Sequence, residues 1–335
     1  MEKQKLESKR REEEAARREE QARKEAEERQ RLAEEEHAAF QRELEETNRK
    51  LAKGIQPVVL PTQEEYDAAE AKVQYDIERL HFAVCGPSGS GKSSLINSFR
   101  GLKKGDGGAA DVGIVETTLE VTRYPDPRKE MPYPRFIWFD VPGAGTFNIP
   151  AWQYFNQQGL FIFDFIVLVY DNRFTQIDAD VLDNCRRFKI PVFIVRSKAN
   201  MQIRNLADDE QCSTPEARTL FVTTTRKNLQ ENLEKSGLCK PGDLEPPPRV
   251  YIVSRECVLD HTLHLEEQRW EKRNKTIIPK EEKKGGRLTD KYIDEEQLIH
   301  DLLETAYDRR YAPSRSRSLR VTSTLLQAAA KLNLG

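Results

Sequence analysis

Cysteine is scarce in this chain, five among 335 residues, and Cys85, Cys185, Cys212, Cys239 and Cys257 form no C-x-x-C pair. That excludes a disulfide scaffold and a cysteine-based zinc ribbon. With no cleavable apolar leader ahead of them, it points to a reducing, cytoplasmic compartment. Long apolar runs are missing too. The longest, GLFIFDFIVLVY at 159–170, is broken by Asp164 and falls short of the roughly 20 residues a spanning helix needs, so no segment is expected to cross a membrane. Neither sign of charge dominates: 54 Lys and Arg against 56 Asp and Glu leave a formal net charge of −2. The basic bias of a nucleic-acid binder is therefore absent, and no nucleic-acid partner is expected. Hydrophobic residues make up only 37%, below the roughly 45–50% of an ordinary globular domain, so part of the chain lies outside a packed core.

Glycine and proline are absent before Gly54. Residues 1–53 are instead rich in Glu, Arg, Lys, Gln and Ala, all good helix formers. Glu7 with Arg11, Glu14 with Arg18, Glu20 with Lys24 and Glu27 with Arg31 are i,i+4 pairs of the favourable orientation. Apolar residues there are too sparse for a sustained a/d seam. The segment reads as one long solvated helix, with a coiled-coil arm for self-association as the alternative. GIQPVVLPT at 54–62 breaks it as a linker, and Thr62 with Glu65 reads as a capping box opening a second helix that runs to about Arg79.

From Leu80 to Ser254 strand and helix signals alternate. Expected strands are 81–85, 119–124, 135–140, 164–170, 191–197 and 249–254, several of them near-continuous apolar runs, as strands covered on both faces should be. Helices are expected near 91–100, 178–188 and 215–236. The Pro-rich stretch PDPRKEMPYP joins 119–124 to 135–140 and suits an antiparallel edge strand. This predicts an α/β layered domain over 80–255, a mostly parallel sheet flanked by helices. The remainder, 256–335, is polar and reads as loops with short helices near 294–308 and 321–333. Its SRSRSLR run at 314–320 reads as a solvated tail or a phosphorylation-tuned docking segment. His261 and His264 have no cysteine or third histidine nearby to complete a zinc site.

The chemistry concentrates where the first strand ends. Gly86, Ser88, Gly89, Ser90, Gly91, Lys92 and Ser93, followed by Ser94, spell the phosphate-loop pattern G-x-x-x-x-G-K-S. Successive backbone N–H groups converge on a polyphosphate only where the chain bends without Cβ atoms in the way. The following helix adds its unpaired N–H groups and dipole. Lys92 would reach the β and γ phosphates and Ser93 would hold Mg²⁺. Asp140, ending the strand FIWFD, and Gly143 in D-x-x-G spacing supply a second magnesium-side oxygen and an N–H for a γ phosphate. Between them, Thr117 or Thr118 would bring the hydroxyl of a closing loop.

In combination, GPSGSGKSSLINSFRGL, GAADVGIVETTLEVTRYPDP, FIWFDVPGAGTFNIP and DFIVLVYDNRFTQIDADVL resemble the immunity-related GTPases, over roughly residues 62–256. The resemblance implies a Ras-like P-loop G domain that binds GTP and GDP with Mg²⁺. It also implies dimerisation or higher self-assembly across the nucleotide face and slow, assembly-stimulated hydrolysis. Lys92, Ser93, Asp140 and Gly143 match the family motif, and Thr118 matches its switch threonine, a Mg²⁺ ligand. Glu116 stands where the family carries a glutamate implicated in water activation, while Ala144 replaces the water-orienting glutamine of small GTPases. The family's base-reading T-K-x-D appears as Ser197, Lys198, Ala199 and Asn200, and Ser254 is a candidate for a backbone contact to the base. Asparagine trades an acceptor for a donor against guanine, at about 1–3 kcal/mol in a buried site, which puts GTP selectivity in question. With glutamate rather than glycine at position 2, N-myristoylation is not expected. The expected function is a cytoplasmic GTP-hydrolysing switch, with peripheral contact to endomembranes or a protein as a candidate partnership. The alternative is a scaffold, with or without nucleotide, that acts through its N-terminal helix.

Overall fold

The computed structural model describes residues 60–113, 120–143, 151–239, 248–274 and 291–311, all within the compact unit Val59–Gly335. The helix expected over 1–53, residues Glu116, Thr117, Thr118 and Ala144, and the short helix expected near 321–333 lie outside the described residues.

Strands β1 (Leu80–Cys85), β2 (Thr122–Pro125), β3 (Phe136–Asp140), β4 (Phe165–Tyr170), β5 (Val192–Arg196) and β6 (Val250–Ile252) form one sheet in the order β2-β3-β1-β4-β5-β6. All neighbours pair in parallel except β2, which is antiparallel to β3 at the edge, as the Pro-rich connection predicts. The chain builds β2 and β3 on one side of β1 and then crosses to place β4 on the other. β1 is thus the topological switch point, where open α/β sheets take ligands at their carboxyl edge.

Apolar residues run without alternation along the strands because both faces are covered. Ala83, Cys85, Ile137, Phe139, Ile166, Leu168 and Ile194 point to one core. Phe82, Val84, Trp138, Phe165, Val167, Phe193 and Val195 point to the other. The first face is covered by α1 (Gln63–Val73), α3 (Ala151–Gln157), α4 (Gln176–Phe188), α5 (Ala199–Asp209) and α6 (Thr214–Lys235). The second is covered by α2 (Lys92–Phe99), α7 (Arg255–Asn274) and α8 (Glu295–Tyr311). Phe82 anchors the second core, stacked on Trp138 at 4.6 Å and on Phe165 at 4.7 Å between ring centroids.

Two expectations change. α1 begins with the anticipated box, Glu65 N–H to Thr62 Oγ1 and Thr62 N–H to Glu65 Oε2, but it stops at Val73 rather than near Arg79. Gln74 takes a left-handed φ of 53° there. The stretch after Ser254, expected as loop, is helix α7. Its inward row Val258, Thr262 and Leu265 has a polar residue in the middle, which hides the apolar period. Thr262 is nonetheless buried, because its hydroxyl donates to the Val258 carbonyl at 2.8 Å.

At the amino edge of the sheet, a buried polar cluster ties the connection after α1 to the strands. His81 is wholly buried. Its Nε2 accepts the Asp76 N–H at 3.3 Å, so Nδ1 carries the proton and donates to Asp164 Oδ2 at 3.2 Å. Asp164 also accepts the His81 N–H at 2.9 Å and the Tyr75 hydroxyl at 3.3 Å, and Tyr75 stacks on the imidazole at 4.2 Å. No helix among the described residues is long and apolar enough to cross a membrane.

Candidate nucleotide-binding site

The opposite edge carries the residues that the sequence singled out. β1 hands directly into the loop 86–91. Gly86 has φ +136°, and a Cβ there would lie 1.9 Å from the Val169 carbonyl oxygen, so only glycine lets the chain leave β1 so close to β4. Gly91, at φ +93°, then opens α2 with no side-chain cap. The first N–H groups of α2 are therefore not closed by a capping side chain, the condition under which a helix start receives an anion. Ser90 is fully buried, and its hydroxyl finds no hydrogen-bond partner among the described residues.

Lys92, nearly buried, folds back along the loop, with Nζ 3.2 Å from the Gly86 carbonyl and 3.1 Å from that of Pro87. Asp140 ends β3 beside Val84 of β1 and is 1% exposed. The Ser93 hydroxyl donates to its Oδ2. A hydroxyl and a carboxylate from separate elements thus meet at the first turn of α2, a pair of hard oxygens of the kind magnesium selects. Gly143 packs on the phosphate loop itself: a Cβ there would fall 2.7 Å from the Ser88 nitrogen. Ser94, next after Ser93 in the first turn of α2, accepts the Ser98 hydroxyl at 3.0 Å through its carbonyl. Cys85, buried just before the loop, has its thiol pushed up to about 12, first by burial and then by Asp178, so it packs as a neutral thiol.

The residues expected to read the base gather beyond β5. Ser197 donates its hydroxyl to the Ser90 carbonyl at 2.6 Å and its N–H to Tyr170 at 2.9 Å. Lys198, with φ 58°, opens α5 without a side-chain cap and pairs with Asp171 at 2.6 Å. Asn200, half-buried, places Nδ2 3.7 Å from Cys257 Sγ. Ser254 follows β6 on the same side of the sheet. Its N–H donates to Glu295 Oε1 at 2.9 Å and its carbonyl accepts the Val258 N–H at 3.0 Å, so its N–H is engaged within the fold.

The structure thus brings Gly86, Ser88, Gly89, Ser90, Gly91, Lys92, Ser93, Asp140 and Gly143 to one edge, with Ser197 joining the base-side loop to it. Three further residues were not anticipated. Asp171 follows an apolar strand just as Asp140 does, and that signal was available to find it. Tyr154, whose hydroxyl donates to the Pro142 carbonyl at 2.8 Å, and Cys257 carry no such local signature.

A phosphate loop on the central strand of a sheet in this order, with an acidic strand end beside it, defines a P-loop α/β fold of the G-domain class. The model of the interferon-inducible GTPase (IIGP) family matches residues 44–262, more than half of the chain. The chain belongs to that family. Interferon-inducible GTPase 1 of Mus musculus is 31% identical over 173 residues, covering 52% of this chain and 40% of the relative. Interferon-inducible GTPase 5 of Rattus norvegicus is 32% identical over 176 residues, covering 52% and 35%. The match spans about two-fifths of the length of these relatives. A solved structure, Toc33 from Arabidopsis thaliana in complex with Mg²⁺ and GMPPNP, is 18% identical, with a TM-score of 0.36 over 58% of this chain and 78% of its own.

Proposed function

We propose that this chain binds GTP and hydrolyses it as a molecular switch, and that it assembles with a second copy through its nucleotide face. The observation that carries the reading is the meeting of Ser93 and Asp140 at the uncapped start of α2, directly after the glycine loop. In this reading the amides of Gly89 to Ser93 hold the β phosphate, and Lys92 swings from the loop carbonyls to the β and γ oxygens. Ser93 and Asp140 hold magnesium, joined by Thr118. When bound, the ion neutralises phosphate charge and fixes the triphosphate's orientation. The Gly143 N–H meets the γ phosphate. Glu116, aided by the second copy, orients the attacking water, a task for which Ala144 has no suitable side chain. Lys198 and Asn200 face the base, with Lys198 held by Asp171.

The names of the relatives support guanine nucleotide as substrate. Asn200 bears on the base, since it offers one acceptor and one donor where two acceptor contacts suit guanine. The test is identification of the nucleotide that co-purifies, followed by turnover with GTP, ATP and XTP at low and high protein concentration. Turnover per molecule rising with concentration, and fastest with GTP, is expected. Zero turnover with all three would replace the enzyme with a scaffold.

A further inference from the structure

Tyr154 is 2% exposed in the first core and has a single polar atom to satisfy. Its hydroxyl donates to the Pro142 carbonyl at 2.8 Å. That carbonyl belongs to the same planar peptide as the Gly143 N–H. In a trans peptide the two point in opposite directions. A hydroxyl that grips the carbonyl from the core side therefore turns the Gly143 N–H away from the core. The glycine cannot drift from the phosphate loop either, because its Cα packs on the Ser88 backbone so closely that a Cβ would lie 2.7 Å from nitrogen and 2.8 Å from Cα.

Burial keeps the Tyr154 hydroxyl well above the ordinary phenol range, so it remains a donor at neutral pH. The buried Cys85 adds to that rise, and the nearby Gly86 backbone opposes it only in part.

We propose that Tyr154 is a positioning residue that sets the Pro142–Gly143 peptide plane, and through it the discrimination between nucleoside triphosphate and diphosphate. The inference rests on the reading of this edge as a nucleotide site. Its reach is narrow. The β phosphate is held by the loop amides, which Tyr154 leaves in place, whereas a γ phosphate would meet the N–H whose direction Tyr154 fixes. Loss of the hydroxyl therefore weakens the triphosphate selectively.

The test compares wild type, Tyr154→Phe and Phe155→Leu. Phenylalanine keeps the ring that fills the core, so the first variant folds. The second loosens the packing of α3 against Phe188, whose ring lies 5.4 Å from that of Phe155, without touching the hydroxyl. Dissociation constants for GDP and for a non-hydrolysable GTP analogue are measured on each, with urea midpoints as a stability readout. In Tyr154→Phe the ratio of analogue to GDP dissociation constants is expected to rise about five-fold, the net worth of roughly one hydrogen bond. In Phe155→Leu the ratio stays at the wild-type value whatever the loss of stability. A wild-type ratio in Tyr154→Phe, or an equal rise in both variants, overturns the inference and leaves the nucleotide reading intact. If wild type binds neither nucleotide, the functional reading itself fails and takes the inference with it.

Discussion

The two edges of the sheet solve opposite problems with the same kinds of residue. At the amino edge, His81, Asp164, Tyr75 and Asp76 close a polar cluster on themselves: both imidazole nitrogens have partners and Asp164 accepts from three donors. At the carboxyl edge, β1 runs into a loop that opens α2 with no capping side chain. Helix starts show the same contrast. α1, α4 and α6 each begin with a carboxylate that accepts the N–H of the capping residue, Glu65 at 2.8 Å, Asp178 at 2.7 Å and Glu216 at 3.0 Å. α2 and α5, which begin at the phosphate and base motifs, have left-handed Gly91 and Lys198 there instead. At these two motifs the uncapped starts leave first-turn N–H groups that a ligand's oxygens could complete.

Lys92→Ala attacks the open edge, and the largest effect is expected there. Two charge-assisted contacts to phosphate are lost, so triphosphate affinity should fall by about a thousand-fold with little change in the urea midpoint of the ligand-free protein. Wild-type affinity, measured by titration calorimetry, would sink the assignment of the loop. Asp164→Ala attacks the closed edge. It strands the His81 N–H, the imidazole Nδ1–H and the Tyr75 hydroxyl, at about 3 kcal/mol of stability by urea unfolding. Nucleotide affinity of the protein that remains folded should not move, and a matching loss of affinity would mean that the edges are not independent. Asn200→Asp sharpens the base end: by restoring two acceptors it should shift preference toward GTP over XTP by about ten-fold or more in competition binding. Thr62→Ala removes one half of the α1 box, at about 1 kcal/mol, readable as a small drop in urea midpoint with binding unchanged.

Much of the fold was legible because burial on both faces erases alternation. FIVLVY and FIWFD carry apolar side chains at almost every position, which only a covered strand tolerates. The phosphate loop was legible because its glycines answer a local backbone need, seen directly at Gly86. What escaped depends on contacts distant in sequence. α7 is called into helix by α2 and α8, with Val258 and Leu265 packing into the core while Thr262 satisfies its own hydroxyl. Ser254 sits in the expected place, but Glu295, 41 residues on, takes its amide. Tyr154 reads as one more core aromatic, and nothing around it in sequence says that its hydroxyl ends on the carbonyl of Pro142.

The hydroxyl of Ser197 reaches the carbonyl of Ser90 at 2.6 Å, tethering the turn that would greet the base to the turn that would hold the phosphates. With the proposed nucleotide bound, such a strut would make its two ends report to each other: a misfit at the purine would be felt as slack around the triphosphate. In the proposed site, a replacement without a hydroxyl at 197 would let each end grip on its own, and the right tail on the wrong head would no longer be felt across the loop.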